Sequence, residues 1–137
     1  MDRTVYINIG NRKYPMRFSL GASIRISEKY GSIEKMADAM SGEENEGKTI
    51  TVLTEILEIL TAQGCAYKNV FEADLPAADG ATVKDGKYIP PTREEIELGI
   101  NISELQEIKG LIFETIRGGK RREVEVEPKE SKKNETM

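Results

Sequence analysis

The sequence has no histidine, no tryptophan, a single cysteine (Cys65) and five prolines among 137 residues. Without histidine, the commonest general base and the commonest transition-metal ligand are both missing. Ser-His-Asp and Cys-His nucleophile arrangements are excluded, and a zinc site has one thiolate to draw on. A lone cysteine forms no internal disulfide, which fits a reducing compartment. No apolar run approaches the ~20 residues of a membrane span. Met1-Asp2-Arg3-Thr4 leads into alternation and not into the apolar core of a signal peptide. Neither a Walker A loop nor a dinucleotide-binding glycine pattern occurs. The expectation is a cytosolic protein with no catalytic residues, no cofactor and no metal. A lone lysine or aspartate catalyst is compatible with the composition, but no residue marks itself out.

What is present supports one modest domain. Hydrophobic residues make up 38% and charged residues 32%, enough for a single core under a well-solvated surface. With three Phe and five Tyr, that core is mainly aliphatic. The net charge of −4 and pI near 5.1 argue against an electrostatic footprint for nucleic acid or anionic lipid.

The chain opens on period-2 alternation. Val5, Ile7 and Ile9 predict one strand and Tyr14, Met16 and Phe18 a second, joined by a Gly10-Asn11 turn. Pro15 places the second strand at an edge or bulge. Such a ribbon is marginal alone and must pack on helices or join strands of another subunit. A helix starting at Ser19 or Gly21 carries Ala22, Ile26 and Tyr30. Gly31 then caps it, and Ser32 starts a second helix with Ile33, Met36, Ala37 and Met40. Residues 43–48 read as an exposed loop.

The longest apolar pattern, from Thr49 to Gln63, holds two adjacent stripes. One is Ile50, Leu53, Leu57 and Leu60; the other is Val52, Ile56 and Ile59. Two readings stay open: a central core helix, or a helix that turns one stripe to a partner or a second copy. Gly64 reads as its end. Residues 69–91 hold Pro76, Gly80, Asp85-Gly86 and Pro90-Pro91, so they predict an irregular, mobile connection with a possible small hairpin around Asp85-Gly86. Capping boxes at Thr92-Arg93-Glu94-Glu95 and Ser103-Glu104-Leu105-Gln106 predict two more helices. The first turns Ile96 inward and ends near Gly99. The second turns Leu105, Ile108, Leu111, Ile112 and Ile116 inward and stops at Gly118-Gly119. Beyond it the chain is almost wholly charged, and a disordered tail over 120–137 is expected after one domain over 1–119. The fold class expected is α+β, mainly helical, with an N-terminal β-hairpin packed on four or five helices.

Charged clusters have plain structural readings. Arg117, Lys120, Arg121 and Arg122 are followed by Glu123, Glu125 and Glu127, with no aromatic residue interleaved, so a solvated helix end is favoured over a nucleic-acid site. Asp74, Asp79 and Asp85 lack the spacing of a calcium loop. Glu94, Glu95 and Glu97 suit a helix N-terminus. Cys65 follows Gly64 at the expected C-terminal end of the long helix, the dipole end opposite to the one that activates a thiol, and reads as a buried, inert thiol.

The run from Ile7 to Phe18, then Leu20-Gly21-Ala22 and Glu28-Lys29-Tyr30-Gly31-Ser32, resembles the opening of tail assembly chaperones from long-tailed phages and prophages of Gram-positive bacteria. Gln63-Gly64-Cys65-Ala66-Tyr67, the Pro91-Thr92-Arg93-Glu94-Glu95 helix start and the charged tail extend the likeness over most of residues 4–119. The resemblance implies a non-enzymatic protein made in the host bacterial cytoplasm. Its client is the long tape measure protein, kept soluble until tail tube subunits assemble around it, and the chaperone is absent from the finished virion. Partners so implied are the tape measure protein and, at release, the tail tube protein; a homo-oligomer stays open, and nucleic acid and membrane are not expected. A client with exposed apolar helix stripes would be covered by an apolar stripe of the chaperone, and Val52, Ile56 and Ile59 are the candidate partner-binding residues. The alternative is a structural tail or head-tail connector component.

Overall fold

The computed structural model describes residues 4–42 and 46–120. It is α+β and mainly helical, with the N-terminal hairpin packed on helices, as expected.

Strands β1 (Val5–Ile9) and β2 (Arg12–Met16) pair antiparallel across a tight turn in which Gly10 has φ +66°. The pair Ile9 and Arg12 closes the turn, so Tyr6 and Pro15 meet at a position where β2 donates nothing to β1. The missing N–H of Pro15 therefore interrupts no ladder bond. Helix α1 (Leu20–Tyr30) starts where the Ser19 hydroxyl accepts the Ala22 N–H at 3.1 Å and ends at Gly31, φ +97°. Helix α2 (Ile33–Ser41) starts on Ser32 in the same way.

Helix α3 (Glu46–Phe71) is longer than its sequence pattern at both ends. Residues 46–48, expected in a loop, form its first turn; 43–45 lie outside the described residues. At the other end Gly64 does not stop the helix. It is the point where α3 crosses β2, and a Cβ there would lie 2.2 Å from the Pro15 carbonyl oxygen. The Arg17 N–H donates to the Leu60 carbonyl at 3.1 Å beside this crossing. With β2, α1 and α2 packed around it, α3 is the axis of the core.

The stretch after α3 is anchored rather than loose. Strands β3 (Val83–Lys84) and β4 (Lys87–Tyr88) form the small hairpin around Asp85-Gly86, both with positive φ. The Asn69 amide grips Tyr88 at both backbone groups: Nδ2 donates to its carbonyl (3.1 Å) and Oδ1 accepts its N–H (2.8 Å). The Thr82 N–H donates to the Lys13 carbonyl, tying this segment to β2.

Helix α4 (Arg93–Gly99) opens with the expected capping box, the Thr92 hydroxyl accepting from the Glu95 N–H and the Glu95 carboxylate accepting from the Thr92 N–H. Ile96 points into the core. Helix α5 (Leu105–Lys120) is preceded by a 3₁₀ turn (Ile102–Glu104). With that turn the helical run begins earlier than the sequence suggests: the Asn101 N–H donates to the Glu104 carboxylate at 2.8 Å, so Asn101 and not Ser103 is its boundary. Ile108, Ile112 and Ile116 are buried, with Leu105 and Leu111 packed at the edge. Gly118-Gly119 does not stop α5; Gly119 lets the helix touch Phe18, whose carbonyl oxygen would lie 2.3 Å from an added Cβ. Lys120 is the last residue of α5, and the rest of the expected tail, 121–137, lies outside the described residues.

Candidate interaction surfaces

The stripe proposed from sequence for a partner is largely used inside the molecule. Ile56 is fully buried and Val52 nearly so, both members of the core. Only Ile59 is half-buried, at the wall of a cleft with Arg25, Lys29, Glu55 and Arg93. The correction has a simple cause: α3 contacts β2, α1, α2, α4 and α5, so both of its apolar stripes face intramolecular neighbours.

The cleft beside Ile59 is a charge network in which α1, α3 and α4 meet. Tyr30 donates its hydroxyl to the Glu55 carboxylate, and Lys29 and Arg93 approach the same group at 3.6 and 3.3 Å. Arg93 also donates from Nε to Glu58 at 3.1 Å. Burial opposes the Glu55 charge, but the Tyr30 hydrogen bond and the two cations outweigh it and hold its pKa below the ordinary carboxylate value. Burial first, and then the adjacent carboxylate, push the Tyr30 hydroxyl the other way. Glu55, Glu58, Lys29 and Arg93 thus pair with opposite charges across the three helices, an arrangement suited to joining them.

Other sequence candidates are placed as follows. Cys65 is buried in mid-helix, and burial pushes its thiol up to about 12, so it is protonated at neutral pH. Asp74, Asp79 and Asp85 lie exposed in the connection after α3. Among the described residues no group of three or more Cys, Asp or Glu is placed to hold a metal ion. Glu94 and Glu95 occupy the first turn of α4, and Arg117 and Lys120 the last turn of α5; Arg121 and Arg122 lie outside the described residues. Among the described residues no helix is long and apolar enough to cross a membrane.

Two apolar surfaces are not evident from the sequence. At the end of α3, Val70 and Phe71 are 69% and 71% exposed, with Leu75 exposed just beyond. Phe71 stacks at 5.1 Å on Tyr67, whose ring carries the Arg17 guanidinium at 3.6 Å. Reading Gly64 as a stop hides this patch, because it removes Val70 and Phe71 from the helix. The second surface is a groove of about 210 Å³ between α3, α4 and the start of α5. Ile50, Leu53, Ile96, Ile100 and Leu105 line it, and Ile102 stands on its rim, 69% exposed. Leu105 is one of the residues expected to face inward, but Ile100 and Ile102 fall between two helix patterns and belong to neither period. A comparison with protein-family models, curated proteins and solved structures finds no match to this chain.

Proposed function

We propose that this protein is a tail assembly chaperone of a long-tailed phage or prophage, binding the tape measure protein and keeping it soluble until the tail tube forms. The likeness of residues 4–119 to that group supports the reading. The observation that carries it is the patch of Val70, Phe71 and Leu75, large apolar side chains left in solvent at one helix end. Exposing them costs solubility, so a surface of this kind suits a partner. Aromatic and aliphatic side chains of this size anchor protein interfaces. The client's apolar helix stripes would otherwise self-associate, and covering them needs matched shape and no reactive group. Release to tail tube subunits requires that the tube bind the client more tightly than the chaperone does.

The test is co-expression with a tape measure fragment that pellets when made alone. Wild-type protein is expected to hold the fragment in the supernatant. The double variant Val70→Asp, Phe71→Asp is expected to lose this while keeping its circular dichroism spectrum and melting temperature, since neither side chain is in the core. Loss of two such anchors costs at least about 2 kcal/mol, more than tenfold in Kd. A fragment that stays soluble with the variant, or pellets with the wild type, would refute the proposal.

A further inference from the structure

We infer that the groove between α3, α4 and the start of α5 is a docking site for an amphipathic helix of another protein, one that carries aliphatic side chains flanked by lysine or arginine. This site is separate from the Val70–Phe71–Leu75 patch and stands whatever the client of that patch is.

Size and shape come first. At about 210 Å³ the groove is smaller than the ~300–1,000 Å³ of ordinary small-molecule sites, so it suits inserted side chains. Its walls are the faces of α3 and α4 and the connection Ile100–Ile102 that leads into α5, and such helix faces accept the ridge of another helix. Ile102, exposed on the rim, would pack along such a ridge and lose its water.

Charge selects the occupant. Glu97 lines the groove, and exposed Glu94 precedes it by one turn on α4. Glu46 precedes Ile50 by one turn on α3. Against these stand Lys48 near the start of α3, Lys109 one turn after Leu105, and Arg93, its guanidinium held by Glu55 and Glu58, one turn before Glu97. The rim is net acidic, so basic flanks on the incoming helix steer and orient it.

The protein's own segments fit less well. Lys120 lies about 23 Å along α5 from Leu105, so a chain returning from it spends about seven extended residues before reaching the groove. Past that distance, residues 128–137 contain one large apolar side chain, Met137. In a second copy, the exposed Val70 and Phe71 are followed by Glu72 and Asp74, which an acidic rim repels. Leu20 and Ile24 on α1 are exposed beside Arg25, but seating one copy's α1 in another's groove joins unlike faces and builds rings or open chains.

The full-length protein, labelled at isoleucine methyl groups, tests this by titration with two synthetic helical peptides. Both carry leucine at i, i+4 and i+7; one has lysine flanks and its twin has glutamate flanks. The lysine peptide is expected to shift the Ile50, Ile96, Ile100 and Ile102 signals and to bind at least about tenfold more tightly than its twin at low salt. Ile102→Asp, on an exposed side chain, is expected to weaken the lysine peptide by about tenfold or more without lowering the melting temperature. Glu97→Lys is expected to narrow or reverse the preference between the twins. Equal binding of the twins, or shifts absent from these isoleucines, overturns the proposal. So does self-association in sedimentation that Ile102→Asp abolishes, which would assign the groove to a second copy. Retention of a tape measure fragment by the Ile102→Asp variant leaves the chaperone reading standing by itself, so the two ideas fail separately.

Discussion

Gly64 and Gly110 both sit inside helices, yet alanine is expected to act on them in opposite directions. In either helix, Gly→Ala gains about 1 kcal/mol of helix propensity. At Gly64 the new Cβ would lie 2.2 Å from the Pro15 carbonyl oxygen and 2.9 Å from the Met16 nitrogen. These are backbone atoms of β2 and have no rotamer to escape into. Overpacking of that kind costs about 1–3 kcal/mol and sometimes more, so Gly64→Ala is expected to lower the urea midpoint despite the propensity gain. At Gly110 an added Cβ would meet no heavy atom within 4 Å, so Gly110→Ala is expected to raise stability by about 0.5–1 kcal/mol. Equal shifts for the two variants would show that the crossing of α3 over β2 is not tight. Close approach, of α3 to β2 at Gly64 and of α5 to Phe18 at Gly119, explains why both mislead as helix stops: a glycine needed for close approach looks, in sequence, like one needed for a cap.

At the scale of elements, caps are legible in the sequence and the connection after α3 is not. Ser19, Ser32 and the Thr92–Glu95 box start α1, α2 and α4 as their sequence contexts indicate, because a cap acts on N–H groups two or three residues away. Residues 72–91 carry so many turn signals that mobility is the natural expectation. Their order comes from residues far away in sequence, through Asn69 on α3 and Lys13 on β2. Asn69→Ala removes two hydrogen bonds to Tyr88, each contributing about 1 kcal/mol. Amide exchange around β3 and β4 is expected to speed up by roughly tenfold or more, while core amides of α3 keep their protection. Unchanged exchange in the hairpin would mean that the clamp contributes nothing.

For the whole molecule, the Glu55 network ties three helices together and gives stability a pH dependence. The Glu55 pKa is held below its unfolded value of about 4.3. A depressed carboxylate stabilises the fold above that unfolded value, and the contribution is lost as pH falls through the folded pKa. The melting temperature is therefore expected to hold from neutral pH to about pH 5 and to fall below it. Glu95, held low by the Thr92 N–H and then by Arg12, adds to the same trend. Glu55→Gln is expected to melt below wild type at pH 7 and to approach it near pH 3; parallel curves at all pH values would remove Glu55 from the account. Sequence alone determined which elements form and most of their inward faces, since strand alternation, helix periodicity and capping all act between near neighbours. It did not determine the ends of α3 or the side to which its second stripe turns. Only the tertiary structure decided which apolar side chains of α3 were left in solvent. Val52 and Ile56 are as greasy as Val70 and Phe71, and the difference between core and surface lies in the helices and strand that happen to pack against each.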